Sequence, residues 1–433
     1  MVKYLKIMLY EVLYKIGVQL RNPSISLHTA FLYESQNWSL EKLKEYQFFK
    51  LKELLTYSYE NSVFYKNHFK ENNFHPSQLN KLKDLKKIPI LEKLDLIENN
   101  SYIHTNWKGK CLTAVTSGSS GQSLRFQRDE SADSFNRATI QKSYLWFGVY
   151  PWDLNGYFWG FNFSFLKKMK TSFLDFIQNR FRIFNYNSHN LKRFVKKINK
   201  ATYIHGYSSM IYQTAKFINK KGLIKPKGIK MVKGTSEKIF KSYHDEVIKA
   251  FGTKIISEYG ATESGIIAFE CPEGNMHINM EGVLVEEIDH EIIVTNLQMK
   301  SFPIIRYKLG DYIELDKSEF KCKCGRNHKI LKEVTGRIGL PIYGNTEIYP
   351  SFTFYYIFKN LDLQYSIKLN YQIIQKEKGI LLVRIEQQLQ RDERKKMNLE
   401  FVKYFGSDIQ FELDEKCVLK SENGKLKSFI SLI

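Results

Sequence analysis

Short apolar segments alternate with helical segments through the middle of this chain, and this alternation constrains the fold more than any other feature. The segment "YIHGYSS" is followed by "MIYQTAKFINKKG", and "IKMVKGTS" is followed by "EKIFKSYHDEVIKAFG" and then "KIISEYGATESG". The short segments have the length and the boundaries of buried strands, and the longer ones have the apolar spacing of helices. Strands that alternate with helices pack as α/β layers. The sequence therefore predicts an α/β fold.

The two ends of the chain differ from this central part. The first quarter, residues 1–110, is charged and rich in leucine at helical spacing, so it is predicted to be mostly helical. Three β-rich segments, "GVLVEEI", "HEIIVTNL" and "DYIELD", follow the central part. After the glycine-rich segment 337–345, a helix, two strands, a charged helix and a further strand predict a small α+β domain.

The charge of the chain restricts its partners. Its 433 residues include 66 Lys and Arg against 45 Asp and Glu, a formal net charge of +21, and 43% of the residues are hydrophobic. This hydrophobic content is enough for packed cores and excludes a disordered chain. A positive charge of this size favours polyanions such as nucleotides, coenzyme A, nucleic acid or an anionic membrane surface. A genome that favours lysine codons would give the same charge without any such partner.

Segment lengths and cysteine spacing predict the compartment. The sequence has no uninterrupted apolar segment long enough to span a membrane. Its five cysteines lack the spacing of a secreted disulfide framework. Residues 1–20 have the pattern of a basic amphipathic helix rather than of a signal peptide. We expect a cytoplasmic protein in which residues 1–20 either contact the inner face of the membrane or pack on the protein's own body.

The segment 116–123, "TSGSSGQS", is unusually small and polar. Hydroxyls and glycine amides suit an oxyanion such as a phosphate, because glycine lets the main chain approach closely. No lysine follows the last glycine, as a P-loop requires, and the glycines do not have the Rossmann spacing. A surface turn is the alternative. The candidate donors are Thr116, Ser117, Gly118, Ser119, Ser120 and Gly121.

Six segments in one order resemble the adenylate-forming superfamily, and more closely its phenylacetate–coenzyme A ligase branch, which includes relatives in capsular and other surface-polysaccharide pathways. The resemblance extends from about residue 45 to the C-terminus. It implies a large multi-subdomain α/β N-terminal domain at 1–337 and a small, mobile α+β C-terminal domain at 338–433. The segments are "TSGSSGQS" at 116–123, "KGTSEKI" at 233–239, "SEYGATES" at 257–264, "RYKLGDYIEL" at 306–315, "TGRIG" at 335–339 and "NGKLK" at 423–427.

This resemblance implies an ATP site. Enzymes of this kind bring a carboxylate against the α-phosphate of ATP, stabilise the pentavalent transition state and release pyrophosphate. The resemblance implies that loop 116–121 donates to the β and γ phosphates, that Tyr259 lies against the adenine, and that Thr262 donates to the α-phosphate. Glu263 would hold Mg²⁺, and Asp311, expected just before a strand, would accept from the ribose hydroxyls. The remaining nucleotide-binding residues are Gly234, Thr235, Ser236, Glu237, Glu258, Gly260 and Arg337.

Two further features concern the small domain. The resemblance implies that Lys425, in "NGKLK", reaches the reacting phosphate when this domain closes, with Lys427 as the second candidate. Where relatives have acidic residues after the hinge arginine Arg337, this chain has Gly339 and Leu340. The glycine still permits a hinge, but the usual pivot is absent. This difference concerns the acyl-transfer step rather than adenylation.

The acyl pocket is placed by the resemblance at "FWGFNFSF", 158–165, and "IHGYSS", 204–209. Both segments mix aromatic with small polar residues. The candidate pocket residues are Phe161, His205, Gly206 and Tyr207. His205 either meets the carboxylate of the substrate or is a core histidine that bonds a backbone carbonyl.

A group of cysteines and histidines predicts a separate metal centre. Cys271 and His277 precede the segment "CKCGRNH", which contains Cys322, Cys324 and His328. Three thiolates and an imidazole form a closed tetrahedral Zn²⁺ site, which is structural because no position is left open. Some members of the resembled branch also contain structural zinc. His277 is the preferred fourth ligand and His328 the second candidate, and free thiols in turns are the alternative.

Three classes of function remain at this point. The first is an ATP- and Mg²⁺-dependent carboxylate ligase that forms an acyl adenylate and then a coenzyme A thioester. The second transfers the acyl group from the adenylate to an amine or hydroxyl, such as a sugar of a surface polysaccharide. The third is a non-catalytic basic binding protein, which the intact "YGATE", Asp311, Arg337 and Lys425 disfavour. No nucleic-acid partner is expected.

Overall fold

The structure is a computed structural model of the chain and describes residues 2–116, 123–159, 165–183, 188–318, 320–337, 341–349, 353–419, 421–422 and 425–433. The chain divides into two compact units. The first unit comprises Met1–Asp153 and Ser257–Val334, and the second comprises Leu154–Ile256 and Thr335–Ile433. Each unit is formed by two separate stretches of the chain. The division into domains at 1–337 and 338–433 stays a prediction.

Helices occupy most of the first hundred residues, as their charged, leucine-rich spacing predicts. Two short 3-10 helices, Pro76–Gln78 and Leu82–Lys87, lie among them. The α-helices are α1 (Val2–Arg21), α2 (Ile25–Ser35), α3 (Leu40–Asn61), α4 (Val63–Glu71), α5 (Lys93–Glu98), α6 (Asn100–Ile103), α7 (Glu130–Leu145), α8 (Phe165–Ile177), α9 (Ser188–Ile198), α10 (Ser208–Lys221), α11 (Lys241–Phe251), α12 (Thr353–Tyr365) and α13 (Arg391–Phe405).

The strands begin only after this helical part. They are β1 (Cys111–Val115), β2 (Arg125–Asp129), β3 (Asn155–Phe158), β4 (Arg180–Arg182), β5 (Tyr203–Tyr207), β6 (Met231–Thr235), β7 (Ile255–Ala261), β8 (Gly265–Glu270), β9 (Met276–Ile278), β10 (Val283–Ile288), β11 (Glu291–Asn296), β12 (Tyr307–Leu315), β13 (Ile330–Arg337), β14 (Ile342–Tyr343), β15 (Ile348–Tyr349), β16 (Tyr371–Glu377), β17 (Ile380–Ile385), β18 (Gln410–Asp414), β19 (Ser421–Glu422), β20 (Lys425–Leu426) and β21 (Phe429–Ser431).

The first unit combines the N-terminal helices with antiparallel strands. Ser39 and Ser62 start α3 and α4, because each hydroxyl accepts a hydrogen bond from the backbone N–H three residues later. Strands β1 and β2 pair as a hairpin. The strands from β7 to β13 lie in the order β10-β11-β12-β13-β9-β8-β7 and include the three predicted β-rich segments. Leucines of α3, among them Leu51 and Leu55, pack in one core with apolar side chains of this sheet.

The second unit contains the strand–helix alternation that the sequence shows. Strands β4, β3, β5 and β6 are parallel neighbours in that order. Parallel neighbours need long crossover connections, and α8, α9 and α10 lie in those connections. All five residues of β5 are buried, as is typical of a parallel strand covered on both faces. The predicted α/β class is confirmed.

The C-terminal part of the second unit is a small α+β layer. Its sheet has the order β18-β17-β16-β21. Helices α12 and α13 pack against apolar side chains of this sheet, such as Ile373 and Val383, through Phe358 and Phe401. The elements α12, β16, β17, α13 and β18 follow one another in the predicted order of helix, two strands, helix and strand. In the part of the chain that the structure describes, no helix has both the length and the hydropathy needed to cross a bilayer.

Candidate active site and metal centre

A hydrogen bond joins two of the predicted nucleotide-binding segments in the first unit. The hydroxyl of Tyr259, on β7, donates to Oδ2 of Asp311 at 2.7 Å, although the two residues are 52 positions apart. Asp311 is buried in the middle of β12. The prediction that it lies just before a strand is wrong, because the strand, with its alternation of buried and half-buried residues, already begins at Tyr307. The structure thus places an aromatic ring and a carboxylate in one site.

The rest of "YGATE" forms the end of β7 and the turn that leads into β8. The register of this hairpin shifts between Tyr259 and Gly260. A Cβ at Gly260 would clash with the carbonyl oxygen of Gly265, so the close approach of the two strands requires glycine. Glu258, also on β7, is half-buried. The turn presents Thr262 and Glu263 immediately after the strand.

Two side chains that sequence reasoning missed hold this turn. The hydroxyl of Tyr307 donates to Oε1 of the buried Glu263 at 3.2 Å. Arg128, on β2, donates to the backbone carbonyl of Thr262. Tyr307 lies in the quoted segment "RYKLGDYIEL", so its neighbours were a signal that could have found it. Nothing in the local sequence around Arg128 marks it.

Thr116 closes the neck of the β1–β2 hairpin. Its backbone N–H donates to the carbonyl of Leu124, and its hydroxyl accepts from the backbone N–H of Leu124, both at 2.9 Å. The hydroxyl of Ser123 donates to the carbonyl of Thr116 at 3.0 Å. Ser117, Gly118, Ser119, Ser120 and Gly121 lie outside the described residues. Their role in binding phosphate stays a prediction.

The segment 234–237 lies at the end of β6 in the second unit. A Cβ at Gly234 would collide with the hydroxyl of Ser208. Thr235 is the last residue of the strand, and Ser236 has a φ of 66°, so the chain turns sharply after it. Glu237 connects two other elements. One carboxylate oxygen accepts from the backbone N–H of Ser209 at 2.8 Å, at the start of α10, and the other accepts from that of Leu426 at 2.6 Å.

The contact of Glu237 with Leu426 places the predicted catalytic segment next to a predicted nucleotide segment. Leu426 follows Lys425 in β20, and the backbone of Lys425 pairs with that of Glu422 in β19. The side chains of Lys425 and of Arg337, which ends β13, are not among the described parts of the structure. Residues 338–340, which include Gly339 and Leu340, also lie outside the described residues. Lys427 is exposed. Sequence reasoning treated the two segments separately, and no local signal links them.

The predicted acyl-pocket residues lie among aromatic rings in the second unit. His205 is buried, its Nε2 lies 3.3 Å from the side-chain oxygen of Asn155, and its ring stacks on Tyr157 with 4.4 Å between centroids. Tyr207 stacks on Trp159 at 4.3 Å. Gly206 has a φ of 135°, and Phe161 lies outside the described residues. These rings and their packing are compatible with either role predicted for His205.

Positive charge surrounds this histidine. Burial lowers the pKa of His205 well below its usual value, and the charges of Arg180, Lys233 and Arg182 lower it further. Burial beside the Glu237 carboxylate raises the pKa of the Tyr207 phenol to about 12. Both rings are therefore neutral near pH 7 and act through shape and hydrogen bonding.

The predicted metal ligands converge in the first unit. The ligand atoms of Cys271, His277, Cys322 and Cys324 all lie within 4.8 Å of one another. The sulfurs of Cys271 and Cys322 are 3.7 Å apart. Two Zn–S bonds of about 2.3 Å at a tetrahedral angle span about 3.8 Å, which fits this separation. The chemistry of the donor set and its spacing therefore suit a tetrahedral zinc ion.

Hydrogen bonds decide which histidine faces the thiols. His277 points Nε2 at Cys324, 3.2 Å from its sulfur, and its Nδ1 lies 3.3 Å from the backbone oxygen of His328. Burial lowers the pKa of His277 to about 4, so the imidazole is neutral, as a metal ligand must be. His328 turns its Nε2 to the buried Glu281 at 2.9 Å. The preference for His277 as the fourth residue of the cluster agrees with this geometry.

A buried charge network supports this cluster. Glu281 is fully buried and contacts His328 and also Lys142, whose Nζ lies 3.7 Å away. Burial lowers the pKa of Lys142, whereas its attraction to Glu281 opposes that shift. Sequence reasoning missed Lys142, in α7, and Glu281, in the turn before β10, because isolated charged residues in helices and turns are usually solvated.

Comparisons with known proteins identify solved structures that share this fold. No protein-family model matches the chain. Protein CapK of Staphylococcus aureus is 26% identical over 306 residues, which cover 68% of each chain. The crystal structure of 2-hydroxyisobutyryl-CoA ligase in the postadenylation state with R3-HIB-AMP superposes with a TM-score of 0.70, at 17% identity, over 92% of this chain and 91% of that one. The same ligase with 2-HIB-AMP and CoA in the thioesterification state gives a TM-score of 0.60 at 17% identity, over the same shares of the two chains.

Proposed function

Since the chain has the fold of the adenylate-forming enzymes, we propose that it uses ATP to activate a carboxylic acid as an acyl adenylate, with release of pyrophosphate, and transfers the acyl group to coenzyme A. The observation that most supports this proposal is the hydrogen bond between Tyr259 and Asp311. It brings the two motifs expected to hold adenine and ribose into one site. CapK and 2-hydroxyisobutyryl-CoA ligase are the relatives whose similarity agrees with this choice.

The described residues suit these roles. With its phenol on Asp311, Tyr259 offers a ring face to the adenine, and the Asp311 carboxylate accepts from the ribose. The buried carboxylate of Glu263 is oriented by a hydrogen bond from Tyr307. A carboxylate supplies the hard oxygen ligands that Mg²⁺ prefers. When bound, Mg²⁺ neutralises phosphate charge as pyrophosphate leaves. Thr262, next to Glu263, donates to the α-phosphate in this proposal.

The acceptor defines the alternative function. Transfer to an amine or hydroxyl, such as a sugar of a surface polysaccharide, uses the same adenylate and differs only in the second half-reaction. Product analysis with each acceptor class separates the two functions, because only the first forms a thioester. We propose coenzyme A on the strength of the ligase whose fold the chain has.

We also propose that the metal cluster holds one structural Zn²⁺ ion. Three sulfurs and one nitrogen fill a tetrahedral shell and leave no position open for catalysis. Burial raises the pKa of the Cys271 thiol, so a cation is needed to stabilise its thiolate.

The N-terminal helix suits a peripheral membrane contact of a cytoplasmic enzyme. Met8, Val12, Ile16 and Leu20 recur every fourth residue of α1 and are exposed. Lys15 and Arg21 lie on the same helix. We propose that residues 1–20 contact an acidic membrane surface through this stripe.

The proposed reaction predicts carboxylate-dependent exchange of pyrophosphate into ATP. Purified protein is screened against aryl, fatty, hydroxy and amino acids, and at least one acid should support the exchange, since adenylation is reversible while the adenylate stays bound. ATP should also raise the melting temperature. If no acid supports exchange and ATP does not stabilise the protein, the ligase proposal fails and a non-catalytic binding protein remains.

The proposed contact of the Asp311 carboxylate with the ribose predicts that loss of its charge weakens the use of ATP. Asp311→Asn should raise the KM for ATP in the exchange assay about 10-fold or more, because a charged hydrogen-bond acceptor is lost. Asp316→Asn is the matched control, since Asp316 lies just beyond β12 and the hydrogen bonds described for its carboxylate are both with Ser318. Equal KM values for Asp311→Asn and the wild type would remove Asp311 from the nucleotide site.

A further inference from the structure

A small cavity in the first unit lies where α7 meets the segments that carry the metal cluster. Its volume is about 10 Å³, measured as the space open to the centre of a water molecule. Helix α7 contributes Lys142 and Ser143 to the lining, and Asn279 and His328 come from the later stretch of the unit. A space of this size admits one water molecule and excludes larger ligands.

Three buried polar atoms in this lining lack a protein partner. They are Oγ of Ser143, Oδ1 of Asn279 and Nδ1 of His328, and none of them has a hydrogen bond to any residue that the structure describes. The three side chains are at most 5% exposed. Buried polar atoms in folded proteins are nearly always paired, with protein groups or with ordered water. Three such atoms around one cavity therefore indicate a bound ligand.

Neighbouring hydrogen bonds show what this ligand must supply. The amide nitrogen of Asn279 donates to the carbonyl of Ile266 at 3.1 Å and to the hydroxyl of Thr139 at 3.4 Å, so its Oδ1 is left to accept a hydrogen bond. Nε2 of His328 lies 2.9 Å from a carboxylate oxygen of Glu281, so its Nδ1 is left for the cavity. The ligand must donate to Asn279 and must also pair with a ring nitrogen and a hydroxyl.

Hydrogen-bond capacity and charge select the class of ligand. A water molecule donates two hydrogen bonds and accepts two, so it satisfies all three atoms whether Nδ1 of His328 carries a proton or not. A halide ion cannot donate to Oδ1 of Asn279. A cation would meet the Lys142 ammonium, which also lines the cavity. Only a neutral molecule that both donates and accepts fits these groups.

We propose that one water molecule binds in this cavity and bridges Ser143 of α7 to Asn279 and His328. The bridge joins the two separate stretches of chain that form the first unit. The backbone oxygen of His328 lies 3.3 Å from Nδ1 of His277, so the bridge also holds the residue against which the metal-facing histidine rests. The proposal depends neither on the proposed adenylation reaction nor on the zinc ion.

A crystal structure and two serine variants of the full chain test this proposal. The crystal structure should show one water molecule about 2.6–3.2 Å from each of the three atoms. Ser143→Ala should lower the melting temperature by about 2–4 °C, since a hydrogen bond to the bound water is lost. Ser58→Ala is the matched control. Ser58, in α3 of the same unit, is fully buried, its hydroxyl also has no partner among the described residues, and it does not line the cavity.

The control should keep or raise the melting temperature, because removal of an unpaired buried hydroxyl breaks no hydrogen bond. Equal changes in the two variants would overturn the proposal, as would a crystal structure with no density in the cavity or with an ion there. Zinc content is measured on the same samples, and Ser143→Ala should match the wild type. A fall in melting temperature that comes with loss of zinc would assign the effect to the metal centre and contradict the bridge.

Discussion

Replacing Lys425 with alanine is expected to lower the rate of adenylate formation by about 100-fold or more while the affinity for ATP changes little. In the proposed reaction, negative charge grows on the phosphate oxygens as the carboxylate attacks, and we expect Lys425 to arrive with the predicted closure of the small domain and to stabilise that state more than bound ATP. The next residue, Leu426, is held by Glu237 through a 2.6 Å hydrogen bond. Glu237 is itself in a predicted nucleotide segment, so the backbone of Lys425 lies beside that segment.

The two half-reactions are measured separately on this variant. Pyrophosphate exchange reports the first, and transfer from a chemically supplied acyl adenylate reports the second, which should be largely spared. Lys427→Ala is the matched control, because Lys427 is a second, exposed lysine two residues further along the chain. Equal losses in both half-reactions would refute the proposed role of Lys425. An unchanged first half-reaction, with a loss in Lys427→Ala, would move the role to Lys427.

Removal of the metal is expected to have the largest effect on stability. Protein purified without added metal should contain one zinc ion per chain, bound by the cluster of Cys271, His277, Cys322 and Cys324. Cys322→Ser should weaken zinc binding by more than the roughly 10- to 100-fold that loss of an outer-shell partner costs. The melting temperature should fall as well, because the free energy of metal binding contributes to folding. Elemental analysis and thermal unfolding measure the two effects.

Cys111→Ser is the matched control for this experiment, since Cys111 is a half-buried cysteine outside the cluster. It should keep both the zinc content and the melting temperature of the wild type. A fully folded protein without metal would contradict the proposed structural role. Unchanged zinc in Cys324→Ser would remove that residue from the ligand set and leave the other three.

The metal cluster shows how far residue patterns predict a site. The close spacing of Cys322 and Cys324 indicates ligands by itself, because two thiols two residues apart in a turn can face one ion. The choice between His277 and His328 could only be stated as a preference, since it depends on which other groups are near. In the structure His328 bonds to Glu281, a residue of a different segment, and His277 is left to face the thiols.

The proposed nucleotide site gives a similar comparison. The order of the motifs predicted that Tyr259 and Asp311 serve one ligand, and the structure brings them into contact. The position of Asp311 within its strand was predicted wrongly, because glycine and aspartate side by side are typical of a turn. The side chains of Tyr307 and Arg128, which hold the following turn, could not be predicted. Their partners lie on strands that are distant in sequence.

The sequence by itself determined the α/β class, the helical first quarter, the order of the motifs and the identity of the metal-ligand candidates, because periodicity and spacing along the chain express local geometry. Only the tertiary structure decided which side chains share a site and which way an amphipathic helix turns. Helices α8 and α9 both combine apolar with basic residues, yet α9 buries its apolar side chains and α8 exposes several large ones. A pattern in one dimension shows that a helix has two faces. The ion pair between Asp175 and Arg182 of β4 holds the Asp175 side of α8 inward, and that partner is in place only after the strands have assembled.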